Sequence, residues 1–351
     1  MSETLSILHR SEIAKNDWDN LVEQTASGWL WHLWDFQEVL SHFEGANDIS
    51  FGVLGENDEL TGIVPLHLFS SKKWFIPIRE IGSLGGPIVQ PFLSQAKRKQ
   101  TLNIIKDHCL QQLAKHKSIE VKFSHPPISR SALEMAESQL HEFLELGDAH
   151  QVSGTWLMEL NQSQEQLWRK IDKSAKSSIK KAQREGIVVR RGSFEDLEEY
   201  YQLHVKTYAR TGAQTHPYRY FEGIAEKFWK TDRARLYLAY ENSQCIAAAN
   251  LAVYKGAAWY WTGASDLKAL KSGANSLLQW EAISDLSQDG INCYEPGAAY
   301  FGSDKKLKGI SSFKKSFGEK LIPAHSSFLF SNELYAKGLR AVRSFRRNDS
   351  H

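Results

Sequence analysis

Two stretches of this chain spell out the same order of elements, which favours a duplicated fold over a chance match. Residues 51–69, continuing into 74–76, read as strand, turn, strand, turn, strand, and so do residues 236–254, continuing into 259–261. Each carries a polar turn opening on Glu-Asn, Glu56-Asn57 in one and Glu241-Asn242 in the other, between β-rich runs, which is a hairpin pattern. Each is followed by a helix, over 95–116 and 274–288, and then by a short strand, over 119–123 and 291–295. Two helices precede each: 14–25 and 36–43 in the first half, 194–210 and 217–230 in the second. One supersecondary order repeated at this scale predicts an α/β chain of two similar units. Gly147-Asp148-Ala149-His150 and Ser153-Gly154 interrupt the apolar pattern and set the boundary, giving domains over 1–150 and 151–335 and a basic tail over 336–351.

The length of 351 residues agrees, since it suits two domains of roughly 150 to 200 residues each. With 42% hydrophobic residues and abundant aromatics, apolar area is not limiting and disorder is not expected. Cys109, Cys245 and Cys293 are odd in number and far apart, which suits neither a disulfide framework nor a paired-thiolate metal site; a reducing compartment fits best. The start at Met1-Ser2-Glu3 has no basic region leading into an apolar run, and no apolar stretch approaches the ~20 residues of a spanning helix, so the expected location is the cytoplasm.

A net charge of +2 argues against a general nucleic-acid binder, yet the charge is unevenly placed. Residues 169–191 hold nine basic residues against Asp172 and Glu185, and 305–320 hold six lysines against Glu319. Two local basic segments in a nearly neutral chain suggest a phosphate-bearing ligand at a defined place. Ser163 with Gln166 reads as a capping box opening a helix that Gly186 closes. Leu167, Ile171, Ala175, Ile179 and Ala182 form its apolar face, and Lys173, Lys176, Lys180 and Arg184 the opposite one.

No G-x-G-x-x-G, P-loop, H-E-x-x-H or C-x-x-C is present, and no histidine stands at metal-ligand spacing with a second His or Cys. No G-x-S-x-G elbow marks a nucleophilic serine. What remains is chemistry that needs positioning and charge stabilisation more than a reactive side chain. Transfer of an activated acyl group to an amine is such a reaction, because the amine is its own nucleophile and the enzyme must stabilise the oxyanion.

Four segments together resemble the FemAB-type aminoacyl and acyl transferases, whose fold is a tandem pair of GNAT (acyl-CoA N-acyltransferase) domains. They are Ser174-Ala-Lys-Ser-Ser-Ile-Lys-Lys-Ala-Gln-Arg-Glu-Gly186; Tyr208-Ala-Arg-Thr-Gly with His216-Pro-Tyr-Arg-Tyr-Phe221; Tyr260-Trp-Thr-Gly-Ala-Ser265 running on to Asn275-Ser-Leu-Leu-Gln-Trp-Glu-Ala-Ile283; and Lys306-Leu-Lys-Gly-Ile-Ser-Ser-Phe-Lys-Lys-Ser-Phe-Gly318. The likeness covers 155–330; before that it rests on Ser27-Gly-Trp-Leu-Trp-His-Leu-Trp34 and the repeated order. It implies a cleft in the second domain where donor and acceptor meet, an acyl-CoA or aminoacyl-tRNA co-substrate with no tightly bound cofactor, and a small-molecule or nucleotide-linked amine acceptor from cell-envelope or polysaccharide synthesis. Two departures stand out. The coiled-coil arm of some tRNA-using members has no counterpart here. The pyrophosphate loop of ordinary GNAT enzymes is incomplete: Leu270-Lys-Ser-Gly-Ala-Asn275 keeps Gly273 before a helix N-terminus, where phosphate is favoured, but not the rest.

The candidate catalytic residues are Lys314, beside aromatic Phe313 and matching the family's Phe-Lys pair, and Glu295, a strand-end carboxylate and a general base if burial raises its pKa. Arg210 matches a family position that contacts acceptor phosphates, and it is equally a dipole partner at a helix C-terminus. Tyr218 and Tyr260 either line the cleft or fill an aromatic core. Lys176 and Lys180 either hold phosphate or form a wet helix face. Trp31 and Trp34 read first as packing, with Trp34 a candidate ligand contact. An alternative of another class is a GNAT scaffold without catalysis that binds a nucleotide sugar or RNA.

Overall fold

The computed structural model describes residues 5–73, 76–124 and 146–332. Trp74-Phe75 of the expected first meander and the basic tail 336–351 lie outside the described residues. The chain divides into two compact units, one of Met1–Pro127, Ser131–Val152 and Ala324–His351, the other of Ile128–Arg130 and Ser153–Pro323.

The first unit holds, in chain order, β1 (Ser6–His9), α1 (Lys15–Gln24), α2 (Trp34–Leu40), β2 (Ala46–Asp48), β3 (Phe51–Leu54), β4 (Leu60–Val64), β5 (His67–Lys73), β6 (Ile76–Leu84), β7 (Ile88–Val89), α3 (Gln95–His116) and β8 (Glu120–Ser124). The expected meander is cut in two. Pro65 has no amide to give a ladder, so β4 ends at Val64 and stays with β1, β3 and β7, while β5 pairs with β2 and β6. Ser50 Oγ takes up the Leu66 N–H at 2.8 Å across the break. α3 has the expected bounds because its signals are strong: Ser94 caps the Lys97 amide, and Thr101, Ile105, Cys109 and Leu113 bury one stripe. It returns the chain so that β8 runs parallel to β6.

The second unit begins within β9 (Ala149–Glu159), which runs unbroken through the residues read as the boundary. There follow α4 (Gln164–Lys170), α5 (Lys173–Arg184), β10 (Val188–Arg191), α6 (Leu197–Thr211), α7 (Tyr218–Ile224), β11 (Ala234–Glu241), β12 (Gln244–Tyr254), β13 (Ala257–Ser265), α8 (Leu267–Ser272), α9 (Ala274–Gln288), β14 (Cys293–Ala298), α10 (Lys305–Lys315) and β15 (Lys320–Phe330). Ser326–Phe330 of β15 falls in the first unit and pairs there with β8. The helix expected over 163–186 is two helices. The Ser163–Gln166 capping box forms, but Ile171 and Asp172 are extended and α5 starts afresh.

The sheet of this unit runs β10, β11, β12, β13, β14, β9, antiparallel except between β13 and β14. Alternation along β12 explains the layers. Ala247, Ala249, Leu251 and Val253 face a core that includes Ile179 of α5 and Leu278 and Ile283 of α9. Asn250 turns the other way and accepts from Trp229 Nε1 at 2.9 Å, just after α7. α6 lies against β12 and β13.

Candidate active site

The parallel pair β13 and β14 is joined by ladder partners only from Ala257↔Cys293 to Trp259↔Glu295. Past that point β13 continues to Ser265 and β14 to Ala298, so the strands part like a fork. Two irregularities sit at the opening. Trp261 is an extra residue in β13 against β12, and Glu295-Pro296 of β14 stands opposite the single Leu157 of β9. Such bulges re-aim side chains and end pairing.

The second bulge directs Glu295 inward. Glu295 as a residue is 6% exposed, and its carboxylate accepts a 2.6 Å hydrogen bond from the hydroxyl of Thr155, a residue 3% exposed. α10 packs on β14 and brings Lys314 to the same place. Phe317, fully buried, and Phe313, half-buried and edge-on to it at 5.4 Å, fix the end of this helix. Lys314 lies with its ammonium against Gly297, whose φ of +110° suits glycine and where a Cβ would stand 2.8 Å from Nζ. Burial pushes the Lys314 pKa down and the Glu295 charge pulls it back up. Lys315, next in sequence, is exposed and reaches over the Trp156 ring at 5.6 Å.

Tyr260 and Tyr294 adjoin the fork. Burial raises the pKa of both hydroxyls, so both stay neutral donors. Tyr294 donates to Gln279 of α9. The Tyr260 hydroxyl lies over Gly263, where a Cβ would come within 1.8 Å of it. Arg210, exposed at the end of α6, donates to the Ser265 carbonyl at 2.8 Å and so stands at the tip of β13. Lys306 of α10 reaches the Thr211 carbonyl at 2.6 Å. Tyr218 opens α7, half-buried, edge-on to Tyr201 at 5.0 Å. Gly273, with φ +83°, ends α8 and opens α9; a Cβ there would lie 2.2 Å from the Ser178 carbonyl of α5. Lys180 and Arg184 line a depression on α5 with Ser177 and Gln183, while Lys176 Nζ donates to the Arg169 carbonyl at 2.9 Å. Trp34 belongs to the first unit, under the Arg10 guanidinium at 4.0 Å and edge-on to Trp18. Trp31 is buried there against Phe36. Among the described residues no group of His, Cys, Asp and Glu could hold a metal ion.

Within the second unit the structure thus gathers Lys314, Phe313, Glu295 and Tyr260 near the fork and Arg210 at its tip. Sequence reasoning missed Thr155, Gly297 and Trp156, and gave no role to Gly263 although it stands in the segment over 260–265. Gly297 was signalled by Pro296-Gly297 directly after Glu295.

His204, on α6 behind the fork, is fully buried and accepts the His216 amide at 3.2 Å through Nε2. Burial, with His216 adding to it, lowers its pKa from 6.5 to about 4. The folded form therefore refuses a proton that the unfolded chain accepts, and stability is lost as pH falls from about 6.5 towards about 4. That loss is on the order of 3 kcal/mol. Urea midpoints measured at pH 7 and pH 4 should differ accordingly, and His204→Gln should flatten the difference.

Residues 169–311 match the acetyltransferase (GNAT) domain family. No curated protein sequence matches the chain. Among solved structures, FemX is similar over 94% of this chain and 99% of its own, at 16% identity and a TM-score of 0.67. The C-terminal domain of a putative lysylphosphatidylglycerol synthetase from Agrobacterium fabrum covers 93% of this chain and 94% of its own, at 13% identity and a TM-score of 0.58. A tandem GNAT protein from the clavulanic acid biosynthesis pathway covers 94% and 99%, at 10% identity and a TM-score of 0.52. The chain has the tandem GNAT fold of these proteins, mixed sheets flanked by helices in each unit. No helix among the described residues is long and apolar enough to cross a membrane.

Proposed function

We propose that this chain, a tandem GNAT protein, is an N-acyltransferase that joins an activated acyl group to an amine of a cell-envelope or polysaccharide precursor. The observation that carries the reading is a half-buried lysine, Lys314, held against Gly297 beside the opening between β13 and β14. Acyl transfer to an amine builds negative charge on the carbonyl oxygen. A cation in a partly desolvated place, together with β13 amides that no β14 ladder engages, offers donors where that charge develops. The amine supplies the lone pair and the carbonyl carbon becomes tetrahedral; the C–S bond to coenzyme A then breaks as the amide forms, and the proton lost by the amine nitrogen leaves on the thiol. Lys314 and Phe313 would act at the reacting carbonyl, with Tyr260 lining the fork and Arg210 and Tyr218 holding the acceptor. Trp34 is kept as a proposed acceptor contact of the first unit.

Acyl-CoA is the favoured donor. The longest helices of the second unit, α6 and α9, have 15 residues each among the described residues, and neither forms the coiled-coil arm of some tRNA-using relatives. The N-terminus of α9 at Gly273 and the basic face of α5 suit the phosphates of such a donor. Incubating the protein with an amine acceptor and either acetyl-CoA or charged tRNA, with products read by mass spectrometry, tests the reading. Acylated amine from acetyl-CoA supports it. Product only from charged tRNA would move it to an aminoacyl-tRNA-dependent ligase of peptidoglycan bridges. Binding of a nucleotide sugar or RNA without turnover on any donor would replace it by a scaffold.

The basic face carries its own prediction. Lys176→Glu with Lys180→Glu should weaken binding of the phosphate-bearing donor and lower the slope of log affinity against log salt by about 1 to 2. Stability should move by no more than about 0.5 kcal/mol, as for other surface changes. An unchanged salt slope would leave the stripe a solvated helix face.

A further inference from the structure

The Glu295 carboxylate, a candidate general base from the sequence, sits where it can also hold Lys314. It is buried, one oxygen already accepts the Thr155 hydroxyl at 2.6 Å, and its charge acts on Lys314. We infer that Thr155 and Glu295 are a positioning pair for Lys314: the threonine hydroxyl holds the buried carboxylate in place, and the carboxylate holds the lysine seated on Gly297. The inference rests on the transferase reading for its purpose, and on geometry for its existence.

Burial acts on both charged groups here, and each offsets it for the other. A lysine taken partly out of water tends to lose its proton, and a neutral amine could not stabilise an oxyanion. A buried carboxylate tends for the same reason to gain one. A hydrogen bond donated to the ionised carboxylate opposes that gain, because bonds to charged groups are the stronger ones. Each group is thus held by its neighbour, in the order Thr155, Glu295, Lys314, and the carboxylate's charge opposes the burial that lowers the lysine's pKa. Among the described residues, these groups stand about the ammonium. β14 contributes Glu295, with the neutral Tyr294 hydroxyl behind it; β9 contributes the uncharged Thr155 and Trp156; α10 itself contributes Lys315, turned to solvent over the Trp156 ring. Gly297 completes the device, since any Cβ there would displace the ammonium. The chain places these parts far apart, at 155, 295 and 314, and only the β9–β14 pairing brings Thr155 and Glu295 together.

The test reads Lys314 directly in the full chain, without substrate. Acetic anhydride labels only the free amine, and peptide mass spectrometry follows Lys314 labelling against pH. Glu295→Gln should raise the reactive fraction near pH 8 about tenfold over the parent. Thr155→Val should move it in the same direction by less, and Thr155→Ser should restore the parent curve. If transfer activity is present, the basic limb of its pH profile should fall at lower pH in the first two variants. Curves for Glu295→Gln and Thr155→Val that overlay the parent's, with circular dichroism showing both folded, would overturn the pair. Should Glu295→Gln fail to fold, the near-isosteric Thr155→Val decides alone. Shifted labelling in a protein that turns over no donor would sink the transferase reading and leave the pair standing. Normal turnover with unshifted labelling would do the reverse.

Discussion

Replacing Lys314 by alanine is expected to lower acyl transfer about 100- to 1,000-fold, the usual cost of removing one preorganised donor to an oxyanion. The expectation follows from where the ammonium sits. It is half-buried, against Gly297, with Glu295 opposing the burial that would discharge it. In such a place a charge is screened less than at the surface and is worth more to a developing oxyanion. Lys315 is the control. It shares the residue type, the helix and the neighbourhood, but it is exposed, and Lys315→Ala should keep turnover within about threefold of the parent, as expected for a screened surface charge. The loss should fall on kcat more than on KM if Lys314 acts in the transition state rather than in binding. Unfolding midpoints must accompany the rates, because Lys314→Ala also leaves Glu295 without its cation. Near-parental turnover in both variants, measured with the true donor, would make Lys314 a seat for α10 and nothing more.

How far the sequence disclosed this arrangement depended on range. Helices α3 and α9 were legible to the residue, since Ser94 and Gly273 mark their starts and the apolar spacing carries them to their ends. The break between α4 and α5 was not, because Leu167, Ile171 and Ala175 keep a four-residue spacing straight through it; only Asp172, a good N-cap type, hinted at a second start. The first unit's two sheets were hidden for a similar reason. The β-rich pattern continues on both sides of Pro65, and only the proline's missing donor shows that one run serves two sheets. Lys314 could be separated from Lys315 by helical phase. Phe313 and Phe317 fix the buried stripe at a spacing of four, and a residue one step from Phe313 flanks that stripe while the next is carried further out. Thr155 could not be found at all. Its partner is 140 residues away, and the bulge that turns Glu295 towards it is a matter of strand register, which local patterns do not encode.

The same packing makes Phe317→Ala the change expected to cost most in stability. Phe317 is fully buried in the core that also holds Met158, Tyr294 and Leu160, and it lies two residues beyond the end of α10. Truncating a buried phenylalanine to alanine costs about 3–5 kcal/mol, the larger values arising where the surroundings cannot collapse into the space. Collapse is restricted here. The next residue, Gly318, already lies so close to Trp156 that a Cβ would come within 2.4 Å of that side chain, so the chain has little room to move inward. For a unit of this size the thermal midpoint should drop by roughly 6–20 °C. Rate should fall with it for a different reason than in Lys314→Ala: the charge is retained, but the end of α10 no longer holds it against Gly297, and a small misplacement is expensive in catalysis. Phe317→Leu, which refills most of the volume, should recover most of both losses. A Phe317→Ala protein that melts within a degree or two of the parent while losing activity would mean that Phe317 serves the chemistry directly, and that some other contact seats α10.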